Sequence, residues 1–399
     1  MSARSTARGA LRRLPLPVRR RILGGRFATA AAPPLPQPDP FASFTRDDGT
    51  AVPLLRGYRD AVKASWRTFT WPTLALYELR RRGALDEDGL ALAAEIDRAA
   101  TLPVAPAEVA RAVAAAARAH PDLVRATGAH DDELGQPVLA VVPSAEDVAA
   151  RVRYYRASAE STLRRLRRAG LPAGARVLEI GCGSGYMTFA LGAAGAGEAI
   201  GLDREVTSDA AERELVREAF AGRSELRTGD AHELPFEDAS LDAVVSFSTL
   251  EHLTDVACAL AEQRRVLRPG GVAYHAYDPW LSPFGGHALC TLDFPWGHAR
   301  LSPAETERYL AELRPHEAPI AIRFYREGFQ ERRLTLAEMR ETFAAAGLDV
   351  RSWREVGERS GPHRTLAEQH VLAEATRLNA RATRRDLLTD NVLVIARRR

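Results

Sequence analysis

A glycine-rich turn directly after a short apolar run is the feature of this sequence that could most clearly bind a ligand. Arg176-Val-Leu-Glu-Ile180 has the composition of a buried strand, and Gly181, Gly183 and Gly185 follow it at alternate positions. Glycines in such a turn expose main-chain N–H groups and let a ligand approach the backbone closely. The turn therefore predicts a cofactor site where a strand meets a helix.

Acidic residues around this turn distinguish between cofactors. Glu179 lies two positions before the first glycine, and its negative charge disfavours a pyrophosphate beside the loop. Tyr186 stands where the dinucleotide fingerprint requires Gly or Ala. Asp203 ends the second predicted strand, where its carboxylate can accept hydrogen bonds from two ribose hydroxyls. The pattern favours a ribose-containing ligand with a cationic group over NAD.

Strands and helices alternate from residue 170 onward and must position these residues. Strands are predicted at 176–180, 199–203, 225–228, 241–247, 271–277, 348–355 and 391–396, and helices at 186–194, 209–221, 256–267 and 336–346. Alternation with short connections produces parallel sheets with helices on both faces. We therefore expect an α/β fold with a Rossmann-like, doubly wound, mostly parallel seven-stranded sheet.

Four further motifs follow the glycine turn, namely Gly229-Asp-Ala231, Leu234-Pro-Phe-Glu-Asp-Ala-Ser-Leu-Asp242, Thr249-Leu-Glu-His-Leu253 and Arg265-Val-Leu-Arg-Pro-Gly-Gly271. With these motifs in order, residues 175–277 resemble the class I S-adenosylmethionine-dependent methyltransferases, particularly the small-molecule type. The resemblance implies S-adenosyl-L-methionine as the cofactor. It also implies methyl transfer by in-line displacement to O or N of a small-molecule or glycan-like acceptor.

The same resemblance assigns a set of cofactor-binding residues. They are Glu179, Gly181, Cys182, Gly183, Gly185, Asp203, Asp230, Ala231, Ser246 and Phe247. The glycine turn with Cys182 would line the methionine portion, with Glu179 near its amino group, and Asp203 would bind the ribose. Asp230 would accept from the adenine amino group, and Ala231 would donate a main-chain N–H to the ring. Ser246 and Phe247 would flank the sulfonium.

A methyl group on a sulfonium is already activated, so the protein mainly orients the acceptor and excludes water. A base is needed only when the acceptor must lose a proton. His252 follows the fourth strand of the series and is the catalytic candidate. The alternative is that His252 only shapes its loop.

Residues 278–300 form a loop rich in aromatic, His, Gly and Pro residues, and it is longer than a connection requires. We interpret it as a lid on the acceptor side, with His287, Trp296 and His298 as substrate contacts. The alternative is a loop that packs on the N-terminal part of the chain. His287, Cys290, Asp293 and His298 match no standard ligand spacing, so no metal is expected.

The remaining sequence predicts three regions. Residues 1–40 form a basic, Pro/Ala-rich disordered tail, and residues 41–169 form an all-helical N-terminal part that serves as an acceptor cap or in oligomerisation. Residues 170–399 form the methyltransferase domain, with insertions at 278–330 and 357–388. The helical interpretation depends on apolar residues that recur every three or four positions.

Charge and composition restrict the partners. The net charge is +3, yet residues 1–38 contain eight Arg and no acid, which leaves −5 for the rest. The net negative charge of residues 39–399 disfavours a nucleic-acid partner. Three cysteines without a CxxC pair indicate a reducing cytoplasm. The sequence contains no apolar run of about 18 residues, so no transmembrane segment is expected.

Two other functions remain open from the sequence. One is a cofactor-binding, non-catalytic regulatory protein, and the other is a methyltransferase of a macromolecule, either protein or RNA. Ser246-Phe-Ser-Thr249 stands where methyltransferases of base amino groups have an Asn-Pro-Pro-Tyr type of tetrapeptide, which argues against that substrate. A homo-oligomer formed through residues 41–169 is a further interpretation.

Overall fold

The computed structural model describes residues 38–55, 76, 79–98, 106–131, 137–141, 145–204, 216–283, 285, 292–315, 318–327, 333–357 and 371–399. Several predictions lie outside these residues. They concern nearly all of the basic tail, the first part of the helix expected at 209–221, and the residues His287 and Cys290.

The segment before the main sheet contains helices and two antiparallel hairpins. Strand β1 (Pro38–Thr45) pairs with β2 (Ala51–Leu55), and β3 (Val124–Asp131) pairs with β4 (Pro137–Val141). The helices of this segment are α1 (Glu87–Arg98), α2 (Pro106–Ala119) and α3 (Ala145–Arg168). Part of α1 and α2 packs with Leu76, Leu79 and Val124 into a small core of its own.

The hairpins differ from the all-helical arrangement expected of residues 41–169. Val52 and Leu54 are buried while Ala51 and Pro53 are exposed, which is the alternation of a strand. Gly49 adopts a φ of 81°, and Asp48 Oδ1 accepts a hydrogen bond from Thr50 N at 2.9 Å, so a tight turn joins the two strands. The helical prediction is wrong here because apolar residues two positions apart were included in a helical pattern.

Seven strands of the described chain form one mixed sheet. They are β5 (Arg176–Ile180), β6 (Glu198–Asp203), β7 (Ser224–Thr228), β8 (Leu241–Phe247), β9 (Leu267–Tyr277), β10 (Leu348–Val356) and β11 (Asn391–Arg398). Their order is β10-β11-β9-β8-β5-β6-β7. Strands β5 to β9 pair in parallel, whereas β11 is antiparallel to both β9 and β10. The predicted Rossmann-like, mostly parallel seven-stranded sheet is confirmed.

Helices cover both faces of this sheet. Helices α3 and α4 (Tyr186–Ala193) pack on one face, and α5 (Val256–Val266) packs on the other. Buried aliphatic residues of the strands supply both cores, as continuous apolar runs do in parallel sheets. Of the regular elements before residue 170, α3 is therefore the one that builds the core of the main sheet.

The segment after β9 contains a further group of helices. They are α6 (Gly297–Arg300), α7 (Pro303–Leu313), α8 (Ala318–Glu327) and α9 (Leu336–Ala345), followed after β10 by α10 (Leu372–Leu378) and α11 (Arg384–Leu387). Capping boxes begin α7 at Ser302, α9 at Thr335 and α11 at Thr383. Helix α9 packs with α5 on the sheet, and the others lie in the predicted insertions.

The β1–β2 hairpin packs on the first insertion. Leu55 N donates to Asp293 O at 2.8 Å, Asp47 N donates to Glu305 Oε1 at 2.9 Å, and Arg308 Nη2 donates to Thr45 O at 2.8 Å. Phe44, Val52 and Leu54 share an apolar cluster with residues of α7 and α8. The division at residue 169 stays a prediction, and these contacts cross it.

Among the described helices, none combines the length and the apolar composition that crossing a membrane requires.

Candidate cofactor site

A cavity of about 220 Å³ opens at the carboxyl edge of the sheet, where the strand order reverses between β5 and β8. Ligands of open α/β sheets bind at such a switch point. Predicted site residues that line it are Gly181, Asp203, Asp230, Ala231 and His252. Its other lining residues are Ile180, Leu202, Arg204, Gly229, His232, Ser248, Thr249, Leu253 and Thr254. The loops after β5, β6, β7 and β8 all contribute.

The glycine turn adopts a conformation that other residues rarely reach. Gly181, Gly183 and Gly185 have φ values of 74°, 51° and 81°. A Cβ on Gly181 would overlap the hydroxyl of Thr249, which packs against the turn. Gly185 precedes α4 and no side chain caps that helix, so main-chain N–H groups at its start are available to a ligand.

Asp203 joins the glycine turn to the end of β6. Its Oδ2 accepts a hydrogen bond from Gly183 N at 2.8 Å, and the residue lines the cavity. A carboxylate has about four acceptor positions, so the same side chain can hold the loop and accept hydrogen bonds from hydroxyl groups of a ligand. Asp203 can thus set the loop conformation and bind a ribose at the same time.

Asp230 and His232, which follow β7, also line the cavity. Asp230 Oδ1 accepts from His232 N at 2.8 Å and contacts His232 Nδ1 at 2.6 Å. These bonds, the main-chain one first, hold the pKa of the Asp230 carboxyl below its usual value. The carboxylate is therefore ionised near neutral pH and can accept a hydrogen bond from an amino group.

Arg265 fixes the segment that follows His232. Its Nη2 donates to Leu234 O at 2.9 Å and its Nη1 donates to Phe236 O at 2.8 Å. Glu262 accepts from Leu234 N at 2.8 Å and pairs with Arg265. This role is not visible in the sequence, because Arg265 and Glu262 face the segment only after α5 has packed beside it.

Glu179 lies in β5 and Cys182 lies in the turn, and neither lines the cavity. Glu179 is buried, and Thr188 Oγ1 donates to its Oε2 at 2.5 Å. Burial raises the pKa of the Cys182 thiol well above its usual value, and the Glu179 and Asp203 carboxylates raise it further. The thiol stays protonated and inert at neutral pH.

Ser246 and Phe247 end β8 and also lie outside the cavity lining. Ser246 is fully buried and its Oγ lies 2.8 Å from His275 Nδ1. Burial lowers the pKa of His275 to about 3, so this histidine is neutral. Phe247 is half-buried against the Tyr274 ring, with 5.7 Å between ring centroids. Contacts of Ser246 and Phe247 with a sulfonium stay predictions.

His252 lies in a single 3₁₀ turn, Leu250–His252, and lines the cavity. The turn is fixed by Thr249, whose Oγ1 lies 3.2 Å from the main-chain oxygens of Ile180 and Phe247. Ser248 before it has a φ of 51°, which is strained for a residue other than glycine. His252 is thus held on a rigid corner beside the glycine turn.

The predicted acceptor contacts lie elsewhere. Trp296 is fully buried, and its Nε1 donates to Leu387 O at 3.0 Å. His298 is 4% exposed and packs edge-on against Trp280, with 5.0 Å between ring centroids. Burial lowers the pKa of His298 to about 3. Neither residue lines the cavity, so their contact with an acceptor stays a prediction.

The donor set fits S-adenosylmethionine. Gly181 of the glycine turn, Asp203 and Asp230 line one cavity, and the uncapped start of α4 follows the same turn. The turn cannot accept a Cβ at Gly181, because Thr249 packs against it there. Within the described ranges, no group of three or more His, Cys, Asp or Glu residues could hold a metal ion.

Comparison with known proteins shows similarity to methyltransferases over part of the chain. Residues 178–275 match the family model described as "Methyltransferase domain". The chain is 46% identical over 100 residues to a probable S-adenosylmethionine-dependent methyltransferase of Mycolicibacterium smegmatis, covering 25% of this chain and 37% of the relative. It is 33% identical over 166 residues to an uncharacterized methyltransferase of Mycobacterium sp. (strain JLS), covering 41% and 60%.

Among solved structures, an S-adenosylmethionine-dependent methyltransferase from Mesorhizobium loti is 17% identical, with a TM-score of 0.34 and coverage of 59% of this chain and 96% of that one. The chain spans 33% to 60% of the length of the first three curated relatives. Residues 178–275 therefore contain a methyltransferase domain, which supports the resemblance to the class I S-adenosylmethionine-dependent methyltransferases.

Proposed function

We propose that this protein transfers a methyl group from S-adenosylmethionine to an O or N atom of a small-molecule or glycan-like acceptor. One observation supports this most strongly. The glycine turn, Asp203, Asp230 and His252 come from four different loops and border the same cavity. The Asp203 carboxylate, proposed to bind the ribose, and the Asp230 carboxylate, proposed to bind the adenine, border one space, which suits an adenosine-containing cofactor.

S-adenosylmethionine supplies an activated methyl group, and the protein binds and orients the cofactor. The Gly183 N–H and the Asp203 carboxylate fix the turn through their hydrogen bond, so that the main chain of the turn can bind the cofactor. Asp230 binds the adenine amino group. Because these groups are fixed before binding, the cofactor is oriented without reorganising the loops.

His252 is a residue that can accept a proton at this site. It lines the cavity on a turn fixed by Thr249. An alcohol or phenol acceptor must lose a proton during transfer, and an imidazole beside the acceptor can take it. An acceptor that is already a neutral amine would not need this step.

The acidic body of the chain and the buried character of the first insertion favour a small acceptor over a nucleic acid. A macromolecular acceptor is the alternative. The cytoplasmic location and the homo-oligomer expected from the sequence stay predictions.

The test has two parts. Calorimetry should detect binding of S-adenosylhomocysteine, and labelled S-adenosylmethionine should transfer its methyl group to a metabolite fraction of a cell extract. Absence of binding would refute the proposal. Binding without transfer across metabolite, protein and RNA fractions would favour the non-catalytic alternative.

The variant His252→Gln separates the base from the cofactor site. We expect unchanged cofactor binding, with a methyl-transfer rate lowered about 100-fold for a hydroxyl acceptor. The rate should also lose its rise with pH. An unchanged pH profile would show that His252 only shapes its loop.

A further inference from the structure

His232 connects the adenine end of the cavity to the start of α5. On one side, its main-chain N–H and its Nδ1 both contact Asp230 Oδ1, at 2.8 Å and 2.6 Å. On the other side, its Nε2 lies 3.2 Å from Asp255 N. The residue lines the cavity, and the resemblance of the sequence to methyltransferases assigned it no role.

The two partners define the protonation of the ring. A carboxylate oxygen can only accept, so Nδ1 carries the proton that is donated to Asp230. A main-chain N–H can only donate, so Nε2 carries no proton and accepts from Asp255. The hydrogen-bond network thus selects the neutral Nδ1–H tautomer of His232.

Asp255, the second partner of the His232 ring, is itself held in place. Asp255 is the N-cap of α5, and its Oδ1 accepts from Cys258 N at 3.0 Å. Cys258 Sγ lies 3.5 Å from His232 O and can donate to it. The loop that holds Asp230 is therefore tied to the first turn of a helix that packs on the sheet.

The Asp230 side chain is 52% exposed, so it would have several rotamers without a partner. Both contacts from His232 fall on Oδ1. Within the described part of the chain, no hydrogen bond reaches Oδ2. A fixed Oδ1 leaves Oδ2 as the acceptor that a ligand can use.

We propose that His232 is a positioning residue, which orients the Asp230 carboxylate so that its second oxygen recognises the 6-amino group of the cofactor's adenine. The inference depends on the proposed function, because it requires an adenine-containing cofactor in this cavity. His232 itself need not touch the cofactor. Its effect is on which base the site prefers.

The test compares two ligands that differ at this group. S-adenosylhomocysteine carries the 6-amino donor, and its inosine analogue carries an oxygen there that cannot donate to a carboxylate. The wild-type protein should bind the adenine form about tenfold more tightly, as one hydrogen bond to a charged group implies. His232→Ala should reduce this preference to about twofold.

Two conservative variants separate the two sides of the connection. His232→Asn places an amide N–H where Nδ1 stands and should keep most of the preference. His232→Gln places its amide towards Asp255 and should lose the preference as His232→Ala does. Glu233→Gln, at the exposed neighbouring position, is the matched control and should leave the preference unchanged.

The outcomes are distinct. If the wild-type protein binds neither ligand, the proposed function fails. If it binds S-adenosylhomocysteine and the His232 variants weaken both ligands equally, the residue is only structural and the inference is overturned. Loss of the preference in His232→Ala with recovery in His232→Asn supports it. Thermal unfolding without ligand identifies any variant that fails to fold, and the remaining variants then decide.

Discussion

Two regions at the same edge of the sheet use their polar residues in opposite ways. Around the glycine turn, Asp203 and Asp230 border an open cavity. After β9, by contrast, the chain from Leu292 to Arg300 is buried, and Trp296 and His298 lie inside it. A preformed polar cavity suits a cofactor that many acceptors share. A closed apolar insertion shows that acceptor access depends on a different surface or on a movement of this segment.

The closed region is held by charges that are removed from water. Asp293 forms an ion pair with Arg314, both almost fully buried, and the Tyr309 hydroxyl donates to the same carboxylate. Breaking such a pair leaves an uncompensated buried charge, which costs about 3–5 kcal/mol. Movement of the insertion must therefore keep this cluster intact.

Gly181→Ala tests the open region most severely. A Cβ at this position overlaps Thr249, and its φ of 74° is unfavourable for alanine. We expect binding of S-adenosylhomocysteine to fall more than about 100-fold by calorimetry. Gly174→Ala is the matched control, because Gly174 has a similar φ of 67° with nothing within 4 Å of the added Cβ. Equal effects of both variants would contradict the cofactor role of the turn.

Trp296→Ala tests the closed region. Removing a fully buried indole should lower the free energy of unfolding by about 3–5 kcal/mol, measured with urea. Trp296→Phe keeps most of the apolar volume and should lose less. If stability is unchanged while the acceptor KM rises, Trp296 contacts the acceptor as the sequence suggested.

Asp203→Asn tests whether a charge is needed in the open region. The amide can still accept from Gly183 N through its oxygen, but it binds ribose hydroxyls more weakly. We expect cofactor affinity to fall by about 1.5–3 kcal/mol with little change in unfolding temperature. A large loss of stability instead would mean that Asp203 mainly supports the fold.

The acid sensitivity of the closed region gives the smallest effect. Burial and the nearby Arg333 charge lower the pKa of His298 from 6.5 to about 3. Between these values the unfolded chain binds a proton that the folded chain does not, so stability falls as pH falls. His298→Gln should reduce this slope by up to about 1.4 kcal/mol per pH unit. An unchanged slope in His298→Gln would show that His298 does not cause the acid sensitivity.

The sheet could be predicted because its strands are local apolar runs that end at glycines or acids. The segments 176–180 and 241–247 were predicted with the bounds that the structure gives. Gly181, Asp203 and Asp230 lie at or just after the carboxyl ends of parallel strands in the sheet. The topology alone therefore brings them to one edge.

The rest depends on contacts that are distant in sequence. The Val52 and Leu54 alternation becomes visible only with its partner strand and α7 in place. The sequence predicts Trp296 as a substrate contact and does not reveal its buried position, because its hydrogen-bond acceptor, Leu387 O, lies 91 residues away. His232 was missed because its second partner, Asp255 N, lies 23 residues further along.

The β1–β2 hairpin has a consequence for the order in which the protein is made. Its partner Arg308 lies 263 residues after Thr45. At about 5–20 residues per second, the hairpin waits about 10–50 s for its docking surface to leave the ribosome. During that interval Phe44, Val52 and Leu54 have no core to enter. The first element of the described chain is thus among the last to be completed, and nascent chains should depend on chaperones most at this stage.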